Sequence, residues 1–360
     1  KEAVTPAKDT KVIPDETDKV TYTKIGSWIP VDPTTGKDGE PIPFPNDPTD
    51  PTKTGEITQI IPHKEGYTPK DGNGTPLVPV NPTNPEQGYK PPKITDPKAN
   101  IKITYEKDDQ KAKVKFVSVD PKTKTETELT AHALTLTGKS GETIPESDVQ
   151  THIDVLKSMG YDIVDNPFDK NPAFDTKKDT DETITQEFTI KVQPRVSTAK
   201  TVYVVEGEKP SAEKLKDAVT TKGNEKTVDE TKIPETTGKV GDDSLTVPVT
   251  VTYGSGDKKR EEIVNVPVKV VKGYPQLVAV SEDKKQPSPK DNIETSDYPD
   301  DATYEYKEEV DTTIAGDKKV TVVVKQGDKV LVEVPATVRV VESYPQFVPV
   351  DKDKKQPAVE

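Results

Sequence analysis

Proline restricts the folding of this chain more than any other feature. It supplies 35 of the 360 residues and is densest between residues 20 and 105. Because proline has no amide proton for a sheet and blocks a helix interior, helices and central strands are not expected there. Strand-like residues 20–22 and 101–105 lie at its ends, and their pairing would close a flat proline-rich β module. A stiff polyproline linker is the alternative. Residues 1–19 before it are polar and aperiodic, and are interpreted as a leader, with a frayed edge strand as the alternative.

The composition excludes one large core. Only 30% of the residues are apolar and 5% are aromatic, whereas 32% are charged. Valine, isoleucine and threonine nevertheless cluster in short runs that alternate with polar residues, as half-buried strands do. The chain is therefore predicted to be mainly β and multi-domain, with small domains joined end to end in a rod.

The charge pattern argues against two classes of partner. A net charge of −13 cannot neutralise a row of phosphates, so no nucleic acid is expected. The basic run at residues 258–260 is bordered by Asp257 and Glu261, and is interpreted as a solvated surface. No apolar stretch reaches the roughly 18 residues of a membrane helix, so no membrane insertion is expected. No signal peptide or anchor motif is recognisable, and the chain is interpreted as part of a longer secreted protein.

Residues 106–193 have the pattern of an α+β domain. Residues 112–119 (AKVKFVSV) and 183–192 (TITQEFTIKV) alternate between apolar and polar, which predicts two strands. A strand followed by a turn is predicted at residues 134–141, and a returning strand at 161–164. Strands, one helix and further strands favour a β-grasp-like fold.

The helix of this domain is predicted from its apolar spacing. Val149, Ile153 and Leu156 recur on one helical face. Ser147 is expected to cap the start, and Gly160 to end the helix. The aromatic core of the domain is expected to contain Phe116, Phe168, Phe174 and Phe188.

Residues 194–273 and 274–343 form a tandem pair, which internal repetition reveals. The sequence YPQLVAVSEDKKQP at Tyr274 returns seventy positions later as YPQFVPVDKDKKQP at Tyr344. Residues 344–360 are therefore interpreted as the start of a further repeat. Each unit ends in alternating valines preceded by glycine turns, which predicts hairpins of a small sandwich.

Two further features of the tandem units carry predictions. In the first, longer unit a helical turn is expected after Ser211, with Leu215 on its buried face. Pro267 and Pro335 interrupt the valine runs, and proline within a strand predicts that the strand lies at a sheet edge.

Three parts of the chain resemble known families. Residues 110–193 resemble the MucBP-type mucin-binding domain of mucus adhesins, through QKAKVKFVSVD, LTGKSGET, GYDIV and QEFTI in that order. Residues 20–105 resemble the proline-rich Mub-type unit beside such domains in lactic-acid bacteria, through IPVDP, PIP, NDP and GYTP. Residues 194–273 and 274–343 resemble Rib domains, the first being similar to the long variant.

These resemblances imply both folds and a location. They imply a β-grasp fold for the MucBP-type domain and a reduced immunoglobulin-like sandwich for each Rib-like unit. They also imply an extracellular protein that is anchored to the cell wall through a segment outside this sequence, with host mucin or another glycan polymer as partner. The absence of cysteine and the abundance of Thr, Lys, Asp and Pro are typical of Gram-positive surface proteins.

Catalytic and metal-binding motifs are not recognisable. The histidines lie in three unrelated contexts, without ligand spacing: His63, His132 and His152. One acidic group is a candidate calcium site. It is interpreted as a solvated loop, because the spacing of its acids is loose and it lacks the glycine that gives an EF-hand loop its sharp turn. Its members are Asp175, Asp179, Asp181 and Glu182. No cysteine nucleophile, G-x-S-x-G elbow or phosphate loop is present. The chain is predicted to be no enzyme and to need neither metal nor cofactor.

Aromatic side chains are the candidate ligand-binding residues, because sugar faces stack on flat rings. Trp28, Tyr67 and Tyr89 lie in sparse, proline-rich surroundings and are assigned to ligand binding. The alternative is that these rings cover a thin core.

Two functions are consistent with the sequence. In the first, residues 20–193 of a monomeric adhesin bind mucin glycans or another host-surface polymer. In the second, the chain is a structural stalk that displays a binding domain located elsewhere.

Overall fold

The protein is mainly β, with several separate sheets. The computed structural model describes residues 24–50, 52–177, 179 and 183–342. The predicted leader at 1–19, the strand at 20–22 and the further repeat at 344–360 lie outside the described residues. The chain forms two compact units. Of the described residues, the second unit contains 119–125, 152–163 and 192–342, and the first contains the others.

The proline-rich segment folds into a sheet, so the alternative of a polyproline linker is wrong. Its strands, in the order β2-β1-β4-β3, are β1 (Ser27–Pro30), β2 (Ile42–Pro43), β3 (Tyr67–Lys70) and β4 (Ile101–Lys107). β1 lies between β2 and β4, with Trp28 opposite Ile101 in a parallel pair. A central strand was not expected here. It is possible because the strand is only four residues long and its one proline, Pro30, comes last.

This module has its own hydrophobic core, formed by Trp28, Phe44, Ile61, Tyr89, Ile103 and Tyr105. The rings of Trp28 and Phe44 meet edge to face, with centroids 4.6 Å apart. Proline carbonyls satisfy the polar atoms of two core rings: Trp28 Nε1 donates to Pro92 O at 3.1 Å, and Tyr105 OH donates to Pro62 O at 2.8 Å. Proline thus costs the module backbone donors and still supplies acceptors for its core.

A repeated turn explains how so many prolines are accommodated. In five Asx-Pro turns the side chain before the proline accepts a hydrogen bond from the N–H two residues on, and these acceptors are Asp32, Asp47, Asn81, Asn84 and Asp96. Proline fixes φ at the second turn position while the Asx oxygen fills the next donor. The module is therefore a chain of self-capped turns around a small sheet.

The next domain begins on the same strand. Only Asp108 separates β4 from β5, and the remaining elements are β5 (Asp109–Val119), β6 (Glu126–Glu128), β7 (Leu134–Lys139), α1 (Ser147–Ser158), β8 (Tyr161–Asp165) and β9 (Gln186–Pro194). The sheet order is β6-β5-β9-β8, and β7 also pairs with β5. The strands and the helix predicted for this domain are confirmed.

Helix α1 buries the predicted face. Val149, Ile153 and Leu156 are all buried, Leu156 completely. Gly160 ends the helix as predicted: its φ is +78°, and its N–H donates to a carbonyl in the last turn. The predicted cap was wrong, since Ser147 is itself the first residue of the helix.

Three of the four expected core phenylalanines are buried: Phe116, Phe168 and Phe174. Phe188 was expected in the same core and is partly exposed. The fully buried positions of β9 begin only at Ile190, so Phe188 lies at the rim of the core. It still contacts Phe168, with ring centroids 5.0 Å apart.

Residues 194–273 contain a two-stranded and a four-stranded sheet. The elements are β10 (Thr198–Ala199), β11 (Val202–Val205), α2 (Ala212–Asp217), β12 (Val219–Thr220), β13 (Glu225–Val228), β14 (Thr246–Ser255) and β15 (Lys258–Val271). β10 pairs with β12, and the larger sheet has the order β11-β15-β14-β13. The predicted turn of helix is confirmed: Ser211 accepts from Lys214 N at 3.2 Å, and Leu215 is fully buried.

Residues 274–342 repeat this four-stranded arrangement. The strands are β16 (Pro275–Ala279), β17 (Ala302–Tyr306), β18 (Gly316–Gln326) and β19 (Lys329–Val341), in the order β16-β19-β18-β17. In each of these two four-stranded sheets, the first strand along the chain is parallel to the last. The last two strands form the predicted hairpin. Single 3-10 turns in the chain lie at Pro85–Gln87, Thr130–His132, Pro167–Lys170, Glu230–Lys232, Pro289–Asn292 and Thr295–Asp297.

The expectation of edge strands at the two valine runs was wrong. Pro267 and Pro335 lie in β15 and β19, and each of these strands has a neighbour on both sides. The parallel ladders, however, begin only at Val268 and Thr337. Each proline therefore lies just before the parallel ladder begins, so its missing N–H removes no hydrogen bond from that ladder.

Candidate binding surface

The three aromatic residues assigned to ligand binding lie together in the module core. Trp28 has no exposed surface and Tyr89 retains 3%, so neither ring offers a face to a sugar. Tyr67 packs against the same cluster and remains partly exposed. Trp28 and Tyr89 are therefore core residues, as the alternative interpretation expected. A ligand contact remains a prediction for Tyr67.

Two of the histidines and one member of the acidic group, Asp179, make contacts that stabilise the fold. His63 stacks on Tyr89 and His132 meets Phe116 edge-on, with centroids 6.2 and 6.3 Å apart. Within the described ranges, no group of three or more His, Cys, Asp and Glu side chains could hold a metal ion. Asp181 and Glu182 lie outside those ranges. Asp179 accepts from Lys111 N at 2.6 Å and from Thr185 N at 3.0 Å, so it fastens a loop to β5.

A joint between the module and the following domain forms one side of an open cleft. Gly66 O accepts from Asp108 N at 2.9 Å and from Ser140 Oγ at 2.8 Å, and Asp108 O accepts from Ser140 N at 2.9 Å. β3 and β7 therefore meet end to end along one edge of the continuous β4–β5 strand. Gly66 is required here: its φ is +77°, and a Cβ would lie 2.3 Å from Ser140 Oγ.

A line of alternating charges crosses this joint. Lys70 of β3 pairs with Glu106 of β4, and Lys139 of β7 reaches Glu106 at 3.7 Å and Asp109 of β5 at 2.7 Å. The hydrogen bond from Lys70 lowers the pKa of Glu106, and the hydrogen bond to Asp109 raises the pKa of Lys139. Both shifts favour the charged forms of Glu106 and Lys139, and the side chains of the line come from both domains.

The cleft beside this line has a volume of about 720 Å³. Four lysines and four carboxylates line it: Lys70, Lys107, Lys111, Lys139, Glu106, Asp108, Asp109 and Asp179. Gln110 also lines it, is 1% exposed, and has neither Nε2 nor Oε1 hydrogen-bonded within the described chain. The lining is thus rich in donors and acceptors, and its formal charge balances in a chain of net charge −13.

The sequence reasoning missed this cleft. Lysines and carboxylates at the exposed positions of a strand look the same whether they face bulk solvent or a cleft. Gln110 was the one available signal, because it occupies a position of β5 where the alternation places core residues such as Ala112 and Val114.

Comparison with protein families identifies two of the domains. Residues 110–193 match the model of the mucin binding domain, and residues 274–342 match that of the Rib domain. No curated protein matches the chain. Both matched families are domains of surface proteins, and neither is an enzyme family. The chain is therefore a surface adhesin, one that combines a mucin binding domain with a Rib domain. No helix in the described ranges is long and apolar enough to cross a membrane.

Proposed function

We propose that this adhesin binds the glycans of host mucin through the cleft where the proline-rich module joins the mucin binding domain. The balanced charge of the cleft carries the proposal. Mucin glycans bear sialic acid and sulfate, and an anion approaching a chain of net charge −13 is repelled over most of its surface. The four lysines of the cleft locally offset that repulsion.

The lining of the cleft fits both the anionic groups and the sugar hydroxyls of an acidic glycan. Lys70 and Lys139 are partly exposed, with 26% and 36% of their side-chain surface accessible, so their ammonium groups can pair with a sialate or sulfate oxygen. The carboxylates of Glu106 and Asp109 accept hydrogen bonds from sugar hydroxyls. The amide of Gln110 has both donors and acceptor unfilled, so a hydroxyl or acetamido group that reached it would remove the cost of an unpaired buried amide.

Charge reversal in the cleft tests this proposal. The double variant Lys70→Glu/Lys139→Glu is expected to weaken mucin binding at least tenfold, because it replaces two anion-binding groups with repelling ones. The matched control is Lys232→Glu/Lys259→Glu, which makes the same change in net charge at lysines that also form ion pairs, here with Asp229 and Glu261. Surface plasmon resonance on immobilised mucin, with the full chain, gives both affinities. Equal losses in the two variants would contradict a site in the cleft.

Mild acid is expected to strengthen binding. Lys and Arg number 51 and carboxylates 64, so protonation of 13 carboxylates neutralises the chain, close to its sequence pI of about 5.0. Sialic acid and sulfate are more acidic than protein carboxylates and stay anionic. Binding at low salt should rise several-fold between pH 6 and pH 4 as repulsion becomes attraction, and added salt should weaken binding at pH 4.

Acid destabilisation of the fold is expected below this range. Hydrogen bonds from Thr52 lower the pKa of Asp50 from 3.8 to about 2, and hydrogen bonds from Thr35 lower that of Asp32. Folded pKa values below the unfolded ones contribute stability that is present above about pH 4 and lost as pH falls toward 2. Circular dichroism recorded beside the binding data separates the effects. A rise in binding that accompanies loss of the folded signal would contradict the electrostatic explanation.

A role as a stalk is supported by a separate observation and is compatible with binding. We propose that residues 194–273 are a second Rib-like domain, since their strand order equals that of residues 274–342. Two such domains in tandem would hold the mucin binding domain away from a cell wall, to which a segment outside this sequence would anchor the protein. Display as a monomer is proposed as well.

A further inference from the structure

The two tandem domains share a hydrophobic contact. Tyr203 of β11 and Val271 of β15 pack into the core cluster of residues 274–342. Tyr203 stacks on Tyr298, with ring centroids 5.3 Å apart and planes at 26°. Lys269 of β15 pairs with Asp297 at 3.2 Å. The domain of residues 274–342 is therefore covered at one end by the strand pair β11–β15, through the face of that pair that points away from its own core. We call residues 194–273 the first domain and residues 274–342 the second.

The sheet registers define which residues form this outer face. Tyr203 lies opposite Lys269 in β11–β15, and Val205 lies opposite Val271. The alternate residues of both strands, such as Val204, face the domain's own core. One face of this strand pair thus packs into the core of the first domain, and the other face packs against the second domain.

Residues 274–342 present the equivalent face, and within the described part of the chain no other domain packs against it. In β16–β19, Leu277 lies opposite Arg339 and Ala279 lies opposite Val341. Val341 is three residues before the YPQ sequence at Tyr344, as Val271 is three residues before the YPQ sequence at Tyr274. Val278 and the other alternate residues again face the domain's own core. We call Leu277, Ala279, Arg339 and Val341 the docking face.

Exposure distinguishes the two equivalent faces. Tyr203 is 8% exposed and Val271 1%, whereas Leu277 is 62% exposed and Ala279 is also exposed. No described residue covers Leu277 as Tyr298 covers Tyr203. A leucine is exposed where its structural equivalent is the centre of a domain contact.

We propose that the docking face is the attachment surface for a following Rib-like domain. The occupant is indicated by the sequence, since YPQFVPVDKDKKQP at Tyr344 repeats the first strand of the domain at Tyr274. An aromatic ring of that domain stacks on Leu277 as Tyr298 stacks on Tyr203, and an acidic side chain pairs with Arg339 as Asp297 pairs with Lys269. Arg339 is already oriented on this face, because Asp317 holds its Nε at 2.7 Å. The inference rests on the tandem Rib-like arrangement and is independent of glycan binding.

The test adds one domain to the chain. Residues 1–343 are followed by a second copy of residues 274–342, which preserves the natural junction sequence, and unfolding is followed by calorimetry. The added copy is expected to unfold cooperatively. Leu277→Asp in the original domain should lower the Tm of the added copy by about 10 °C, as expected for loss of a buried leucine contact in a domain of this size. In the unextended chain of 360 residues, Leu277→Asp should change no transition by more than about 3 °C, because a change at an exposed position has little effect on stability.

Two controls complete the experiment. Ile263→Asp changes an isoleucine that is 68% exposed on β15, and should leave the added copy unaffected. Tyr203→Asp in the unextended chain should destabilise residues 274–342, since it disrupts the existing contact. An added copy that gives no cooperative transition, or that responds equally to Leu277→Asp and Ile263→Asp, overturns the proposal. Concentration-dependent self-association of the unextended chain that Leu277→Asp abolishes would assign the face to a second copy, and also overturns it.

Discussion

Replacement of Leu156 by aspartate is expected to unfold the mucin binding domain. Leu156 is 0% exposed on the buried face of α1, beside Val149 and Ile153 on the same helical face. An aspartate there would be a charge in a small core without a partner, which costs more than about 4 kcal/mol. Small domains have total stabilities of about 5–15 kcal/mol, so most molecules should lose this domain. Calorimetry and amide hydrogen exchange would measure the loss.

Two companion variants make this result specific. Thr151→Asp places the same residue on an exposed position of the same helix and should change the free energy of unfolding by less than about 0.5 kcal/mol. Leu156→Ala should cost about 2–5 kcal/mol, as cavities in cores do. Strands β16–β19 should keep their protection in all three variants. Simultaneous loss of every transition would show that the domains do not unfold independently.

The parts of the fold that the sequence predicted are those fixed by local periodicity and turn chemistry. Val149, Ile153 and Leu156 define a helix face by spacing alone, and Gly160 ends the helix because glycine readily adopts positive φ. The hairpins of the tandem domains follow in the same way from glycine turns between alternating valines. Such features depend on neighbours within a few residues, which a single sequence displays.

What the sequence did not predict depends on partners distant along the chain. Pro267 and Pro335 indicate an edge strand only if no neighbour begins beyond them, and the parallel ladder starting one or two residues later is invisible in the sequence. Trp28 looked isolated among prolines, yet its core partners include Ile61 and Ile103. The cleft has the same origin, because Lys70 and Lys139 meet Glu106 only when β3 and β7 align along one strand.

The composition of the proline-rich module explains why its aromatic rings are poor predictors of the binding surface. Aromatic rings were the expected sugar contacts because sugars stack on them. In a module with so few apolar residues the rings are needed for the core, and Trp28 is its centre. The surface left for recognition is therefore built from charged side chains, whose abundance hides any particular cluster.

Two adjacent isoleucines offer a direct test that the proline-rich module is a folded domain. Ile61 is 0% exposed in the core cluster with Trp28, whereas Ile60 is 45% exposed. Ile61→Ala is expected to cost about 2–5 kcal/mol through lost burial and the cavity left behind. For a domain of this size the Tm should fall by about 10–20 °C. Ile60→Ala makes the same chemical change one residue away and should cost less than about 1 kcal/mol.

The only tryptophan of the chain, Trp28, reports on this module alone. Its emission should be that of a buried indole in the wild type and in Ile60→Ala, and should shift to that of a solvated indole at a lower temperature in Ile61→Ala. A polyproline linker has no core in which the two isoleucines could differ. Equal thermal profiles for the two variants would therefore contradict the folded module, and with it the position of β3 and β4 beside the proposed glycan cleft.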